Sequence, residues 1–135
     1  MNVEYPEYPE YNEIESFTAT NPKFLYEFIE YSYKNHERMK RIYEALNSDD
    51  NEDEIRDIVR NIGEEIHNEG GIDALRGCFY MLVIACRVIV TRLSVTQTSM
   101  AYAMKDVKTN KLIRHYQDQI HNLESYFDGV GEWRR

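Results

Sequence analysis

Glu64-Glu65-Ile66-His67 carries Glu-x-x-His, a spacing that sets a carboxylate and an imidazole on one side of a helix, as in di-iron bundles. His121-x-x-Glu124 offers the reversed pair on another predicted helix. A metal site takes three or four convergent ligands. A second Glu-x-x-His is missing, and both pairs point away from the apolar stripes of their own helices. The sequence therefore predicts no metal site and no cofactor.

Nucleophilic catalysis would need a thiolate beside a base. Cys78 and Cys86 fall in the most apolar part of the chain, where burial raises a thiol pKa and leaves sulfur inert. His36 falls within an apolar helical stripe and reads as a core histidine whose buried hydrogen bond fixes its tautomer. Arg76, Tyr80, Arg87 and Thr91 form the polar line of the apolar stretch. Arg87 is expected to pair with Glu64 or Glu65, because a buried charge must find a partner. A carboxylate or phosphate receptor is the alternative. An enzymatic or ligand-binding bundle would gather His36, Arg76 and Arg87 into an internal polar pocket. No G-x-S-x-G elbow, Walker loop, dinucleotide fingerprint or zinc spacing occurs. The expectation is a protein that is not an enzyme.

The apolar stretch that would position these groups runs from Gly70 to Leu93, GGIDALRGCFYMLVIACRVIVTRL. It is apolar on nearly every side, and a helix with no wet face must be surrounded by other helices. The sequence thus predicts an all-α fold, a single bundle of four to five helices around a central helix at about 73–93. With 135 residues, 42% apolar and 30% charged, the chain fits one globular domain.

The net charge of −8 is unevenly placed. Glu4, Glu7, Glu10, Glu13 and Glu15 load residues 1–20, and Asp49, Asp50, Glu52, Asp53 and Glu54 form a second block. Setting those ten acids aside leaves 14 against 16 bases. The basic footprint that supplies most non-specific nucleic-acid affinity is missing, which argues against nucleic acid as a partner. A nucleic-acid-associated accessory role would have to use Lys105, Lys108, Lys111 and Arg114. The opening MNVEYPEYPE is acidic and proline-broken, unlike a secretory signal. The longest apolar run, Cys78 to Cys86, is nine residues where a span needs about 20, so no membrane contact is expected. On one helix the two cysteines stand about 12 Å apart, beyond disulfide reach. Two free thiols fit a reducing compartment, so a cytoplasmic or nuclear location is expected.

Along the chain, residues 1–16 read as a disordered acidic tail of Tyr, Pro and Glu, and 17–135 as the helical domain. Tyr5, Tyr8 and Tyr11 could serve there as a linear motif. Asn21-Pro22 signals a helix reaching Leu46, with Tyr26 and Tyr33 in a row off its apolar stripe. Asn47, Ser48 and Asp49 break that helix and cap a second, whose stripe is Ile55, Ile58, Val59, Ile62 and Ile66. Gly70-Gly71 supplies a left-handed termination, and Asp73 caps the central helix. Residues 94–107 either continue that helix or make a short separate one. Thr109-Asn110 caps the last helix, Gly129 stops it, and Trp133 is expected to fold back on the bundle.

Two blocks, IGEEIHNEGGIDALRGCFYML (62–82) and YFDGVGEWRR (126–135), resemble short uncharacterised proteins encoded by giant DNA viruses of amoebae and by some algae and protists. In those, an Ile-Gly…Gly-Gly helix pair is followed by a closing segment like Asp-Gly-Ile-Gly-Glu-Trp-Arg. The resemblance implies a viral source and carries no activity. Together these readings predict a small interaction module, a viral accessory protein inside a host cell. It would act by self-association, as a dimer, or by contact with a host protein. Tyr5, Tyr8, Tyr11, Tyr26 and Tyr33 are the contact residues expected.

Overall fold

A glycine pair near the middle of the chain sets the architecture. A computed structural model describes residues 5–18, 30–31, 33–99 and 107–130. Within them lie α1 (Tyr11–Thr18), α2 (His36–Leu46), α3 (Glu52–Ser99) and α4 (Val107–Phe127), and residues 30–31 and 33–34 are helical as well. No strand occurs among the described residues. The fold is an all-α bundle around one long helix.

That helix, α3, is two arms joined at one non-helical residue, Gly71, with φ 77° and ψ −169°. Backbone of this kind is essentially restricted to glycine. A Cβ built on Gly63 would stand 3.6 Å from Leu75 Cδ1. Twelve residues of uninterrupted helix would separate those positions by about 18 Å. The arms therefore fold back on each other, and Gly71 makes the reversal. Gly70 contributes too, since a Cβ there would meet the Ala74 Cβ at 2.5 Å.

Asn51 opens the first arm, its side-chain oxygen accepting from the Glu54 amide at 2.9 Å. The cap expected within Asn47, Ser48 and Asp49 thus moves to Asn51, while Ser48 turns back to the Ala45 carbonyl at the end of α2. Glu52, Asp53 and Glu54 occupy the first turn, where negative charge complements the helix dipole. Ile55, Val59, Ile62 and Ile66 are buried, whereas Ile58 faces outward. The second arm, residues 72–99, supplies much of the core through Leu75, Cys78, Met81, Leu82, Ala85, Cys86 and Ile89. It continues through Ser99, which settles part of the ambiguity at 94–107.

Two features of this arm differ from expectation. Asp73 is not a cap, because only Gly71 separates the arms. Nor is the arm dry all round: Asp73, Tyr80, Arg87 and Thr91 are exposed, with Val83 and Val90 half-buried between them. A window of 18 residues in Glu52–Val95 reaches a mean hydropathy of 1.8, long and apolar enough to cross a membrane, and 50% of that window is buried within the fold. The core helix of a bundle meets the same test, and Gly71 folds this one in two.

α2 begins at His36 with Asn35 as its N-cap, so the helix expected to reach Leu46 is interrupted at Asn35. Asn35 leaves helical geometry with φ −110° and ψ 19°, while its backbone amide and its side-chain amide both donate to the Tyr31 carbonyl, at 3.0 and 2.9 Å. Residues 19–29 and 100–106, including the Asn21-Pro22 signal, lie outside the described residues, as does Trp133. α4 starts at Val107, so Thr109 sits inside the first turn and is buried instead of capping it. At its far end Gly129 adopts φ 89° and stops the helix as anticipated.

The acidic N-terminal segment is not a solvated tail over residues 5–18. Tyr8 is 8% exposed and Ile14 0%, and Glu13 pairs with Arg92 of the second arm of α3. Composition suggested disorder, but two apolar side chains at the right positions suffice to dock the segment.

Replacing Gly71 by Ala forces an L side chain into glycine-only backbone, which costs about 1–3 kcal/mol. Urea unfolding followed by circular dichroism should show that loss. A change below about 0.5 kcal/mol, the range of a neutral surface substitution, would contradict the turn geometry.

Candidate functional site

Two places gather functional side chains, one closed and one open. The closed one lies beneath residues 5–10. Tyr43 Oη donates to the Pro6 carbonyl, which can only accept. Tyr43 and Tyr116 hydroxyls stand 2.6 Å apart, so Tyr116 must be the donor in that pair. Their rings stack with centroids 6.1 Å apart. Tyr5 lies over His115 at 4.8 Å, and Tyr8 meets His36 at 5.4 Å and Tyr43 at 5.5 Å edge-on. His115 Nε2 stands 2.7 Å from Asn47 Oδ1. The amide oxygen accepts, so Nε2 carries the hydrogen.

Burial keeps this cluster neutral. Desolvation drives the Tyr8 and Tyr43 phenols above their ordinary range. Tyr116 rises for the same reason, reinforced by the hydrogen bond it donates to Tyr43. Desolvation holds His115 below the usual imidazole value against the opposing pull of Asp118. Cys78 and Cys86 are pushed up to about 12, so neither thiol is a nucleophile near neutrality. The arrangement fastens the N-terminal segment to α2 and α4 and offers no activated base. Two buried atoms in it, Tyr8 Oη and His36 Nδ1, find no hydrogen-bond partner among the described residues, so the buried hydrogen bond expected of His36 is not seen there at Nδ1.

The open place is the outward side of the second arm of α3. Tyr80 is 39% exposed and Val95 59%, with Arg87 also exposed and Arg76 half-buried. His36, Arg76 and Arg87 do not form a shared pocket. Arg76 and Arg87 are eleven residues apart on one arm, about 16 Å of rise. His36 packs on Tyr8, whose phenol feels Cys78 and Cys86 on the buried side of that arm. Arg87 makes no ion pair among the described residues. Glu65 is taken instead by Arg38 at 3.4 Å and Arg41 at 3.9 Å. Arg38 also grips Glu69 through two bonds of 2.5 and 2.6 Å, tying α2 to the first arm. That pairing raises the Arg38 pKa and lowers that of Glu69.

The predicted contact tyrosines divide. Tyr33 is 65% exposed, Tyr5 is half-buried on His115, and Tyr8 is core. Tyr11 opens α1, and Tyr26 lies outside the described residues. Tyr80, on the polar line expected from the sequence, faces outward and adds an exposed aromatic that the row of contact tyrosines does not include. The two metal-like pairs stay at the surface, with Glu64, His121 and Glu124 exposed and His67 half-buried. No cluster of three metal-ligating side chains forms among the described residues. Lys111 and Arg114 are exposed on α4, and Lys105 lies outside the described residues.

Residues 62–82 and 126–130 meet in space. Val130, fully buried, packs over Gly63, where an added Cβ would stand 3.4 Å from its Cγ2. Phe127 lies edge-on to Phe79 at 5.6 Å. The guanidinium of Arg60 lies against Gly129, 3.8 Å from where a Cβ would stand. Compared with known proteins, the chain matches no family model, no curated protein and no solved structure.

The neutral phenols and thiols fix how stability responds to base. Below about pH 9 the folded and unfolded chains hold the same protons on these groups, and stability is level. Above it the unfolded chain releases thiol protons that the fold retains, and above about 10 phenol protons as well. The urea midpoint should therefore fall from about pH 9 and more steeply beyond 10. His115, held low, adds a loss as pH drops below about 6.5. A midpoint unchanged up to about pH 10.5 would contradict the burial of these groups.

Proposed function

We propose that this chain is a small, non-enzymatic protein-interaction module that works by self-association. The observation that carries this reading is the outward side of the second arm of α3. There a helix that forms the core of the bundle keeps Tyr80, Val83, Val90 and Val95 at least partly in water. Tyrosine and arginine among aliphatic side chains are the composition of interface centres, since they offer large contact area at low entropy cost. Tyr33 is a further exposed aromatic that a partner could use.

Contact with a host protein is the companion role, in a viral accessory protein of the host cytoplasm or nucleus. The likeness of residues 62–82 and 126–135 to giant-virus proteins supports the source. Two buried, free thiols support a reducing compartment. The closed cluster beneath residues 5–10 has a structural part in this reading, holding the N-terminal segment against the bundle.

Light scattering on the full chain at tens of micromolar should give twice the 16.1 kDa of one copy. Tyr80→Asp, which sets a charge in the middle of the contact, should return it to one. A wild-type monomer at that concentration would overturn the reading.

A further inference from the structure

We infer that the outward side of the second arm of α3 docks a second copy of this chain, antiparallel, about a two-fold axis at Tyr80. This rests on the self-association reading above and specifies its register. In a two-fold contact each residue i that meets j is matched by a j that meets i, so the surface must be complementary to itself. The arm has that property. Asp73 stands seven residues before Tyr80 and Arg87 seven after, and all three are exposed. Seven residues are close to two turns, so the three lie on one side of the helix about 10.5 Å apart in rise.

An antiparallel copy centred on Tyr80 therefore lays Asp73 of each chain against Arg87 of the other, twice over. Tyr80 meets Tyr80 at the axis, where offset aromatic rings pack favourably. Arg76, four residues before, comes beside Val83 of the other copy, and its aliphatic stem can cover that half-buried side chain. Parallel pairing would set Arg87 on Arg87 and Asp73 on Asp73, and like charges in direct opposition cost affinity. Neither Asp73 nor Arg87 has an ion-pair partner among the described residues, so docking displaces no described bridge. The surrounding acids are elsewhere engaged: Glu65 and Glu69 with Arg38, and Glu13 with Arg92.

Charge exchange between two variants of the full chain tests the register. D73R and R87D each oppose like charges across the axis and should dimerise at least about tenfold more weakly than wild type. Mixed in equal amounts, they restore both ion pairs and should form a heterodimer, seen by sedimentation or native mass spectrometry. Both positions are exposed, and circular dichroism checks that the fold is retained. If wild type dimerises and the mixture stays monomeric, or if either single variant dimerises as wild type does, this register is overturned while self-association stands. If wild type is itself monomeric, both fall together.

Discussion

The fold depends on a reversal made by one residue. A helix can turn back within a single peptide unit only where φ is positive and ψ extended, and Gly71 holds that conformation. Because it does, the Ile55–Ile66 stripe of the first arm faces the Leu75–Ile89 stripe of the second. Neither stripe is wide enough to be stable in water by itself. Each becomes the other's partner, and α2 and α4 then close the remaining sides. Gly63 lets Val130 come close on the first arm, so the residue just past Gly129 packs on the same helical pair.

The N-terminal segment is fastened by few but directional contacts. A phenol that donates to one carbonyl and accepts from another phenol leaves no freedom in its proton arrangement. Tyr43 therefore reads the position of Pro6, and Tyr116 reads that of Tyr43. The Arg92–Glu13 pair holds α1 on the far side of this fastening. Glu13 thus serves attachment, while the acidic block Asp49–Glu54 stays at the surface.

Much of the fold could be read in the sequence because apolar period and glycine placement act locally. The all-α class, the central position of residues 73–93, the break at Gly70-Gly71 and the stop at Gly129 all follow from residue type and spacing. What could not be read depends on contacts made at a distance. The tail looked unfoldable by composition, yet Tyr8 and Ile14 find a core groove formed by chain far downstream. Asn35 interrupts a helix that periodicity alone would continue. The polar line of Arg76, Tyr80, Arg87 and Thr91 marks the open side of the second arm, but how much of Val83 and Val90 beside it stays in water depends on where α1, α2 and α4 sit. For the same reason His36, Arg76 and Arg87 looked able to converge and do not.

Residues 52–99 form two arms folded against each other, and the distance between spin labels at the exposed positions Glu54 and Thr91 reports that reversal. Labelled chain should be diluted with unlabelled chain so that only distances within one copy are read. Folded back at Gly71, the two sites lie on neighbouring helices whose axes are about 10 Å apart, and the distance between labels should be roughly 20–25 Å. A distance near 55 Å, the rise of 37 residues in one unbroken helix at about 1.5 Å each, would contradict the account.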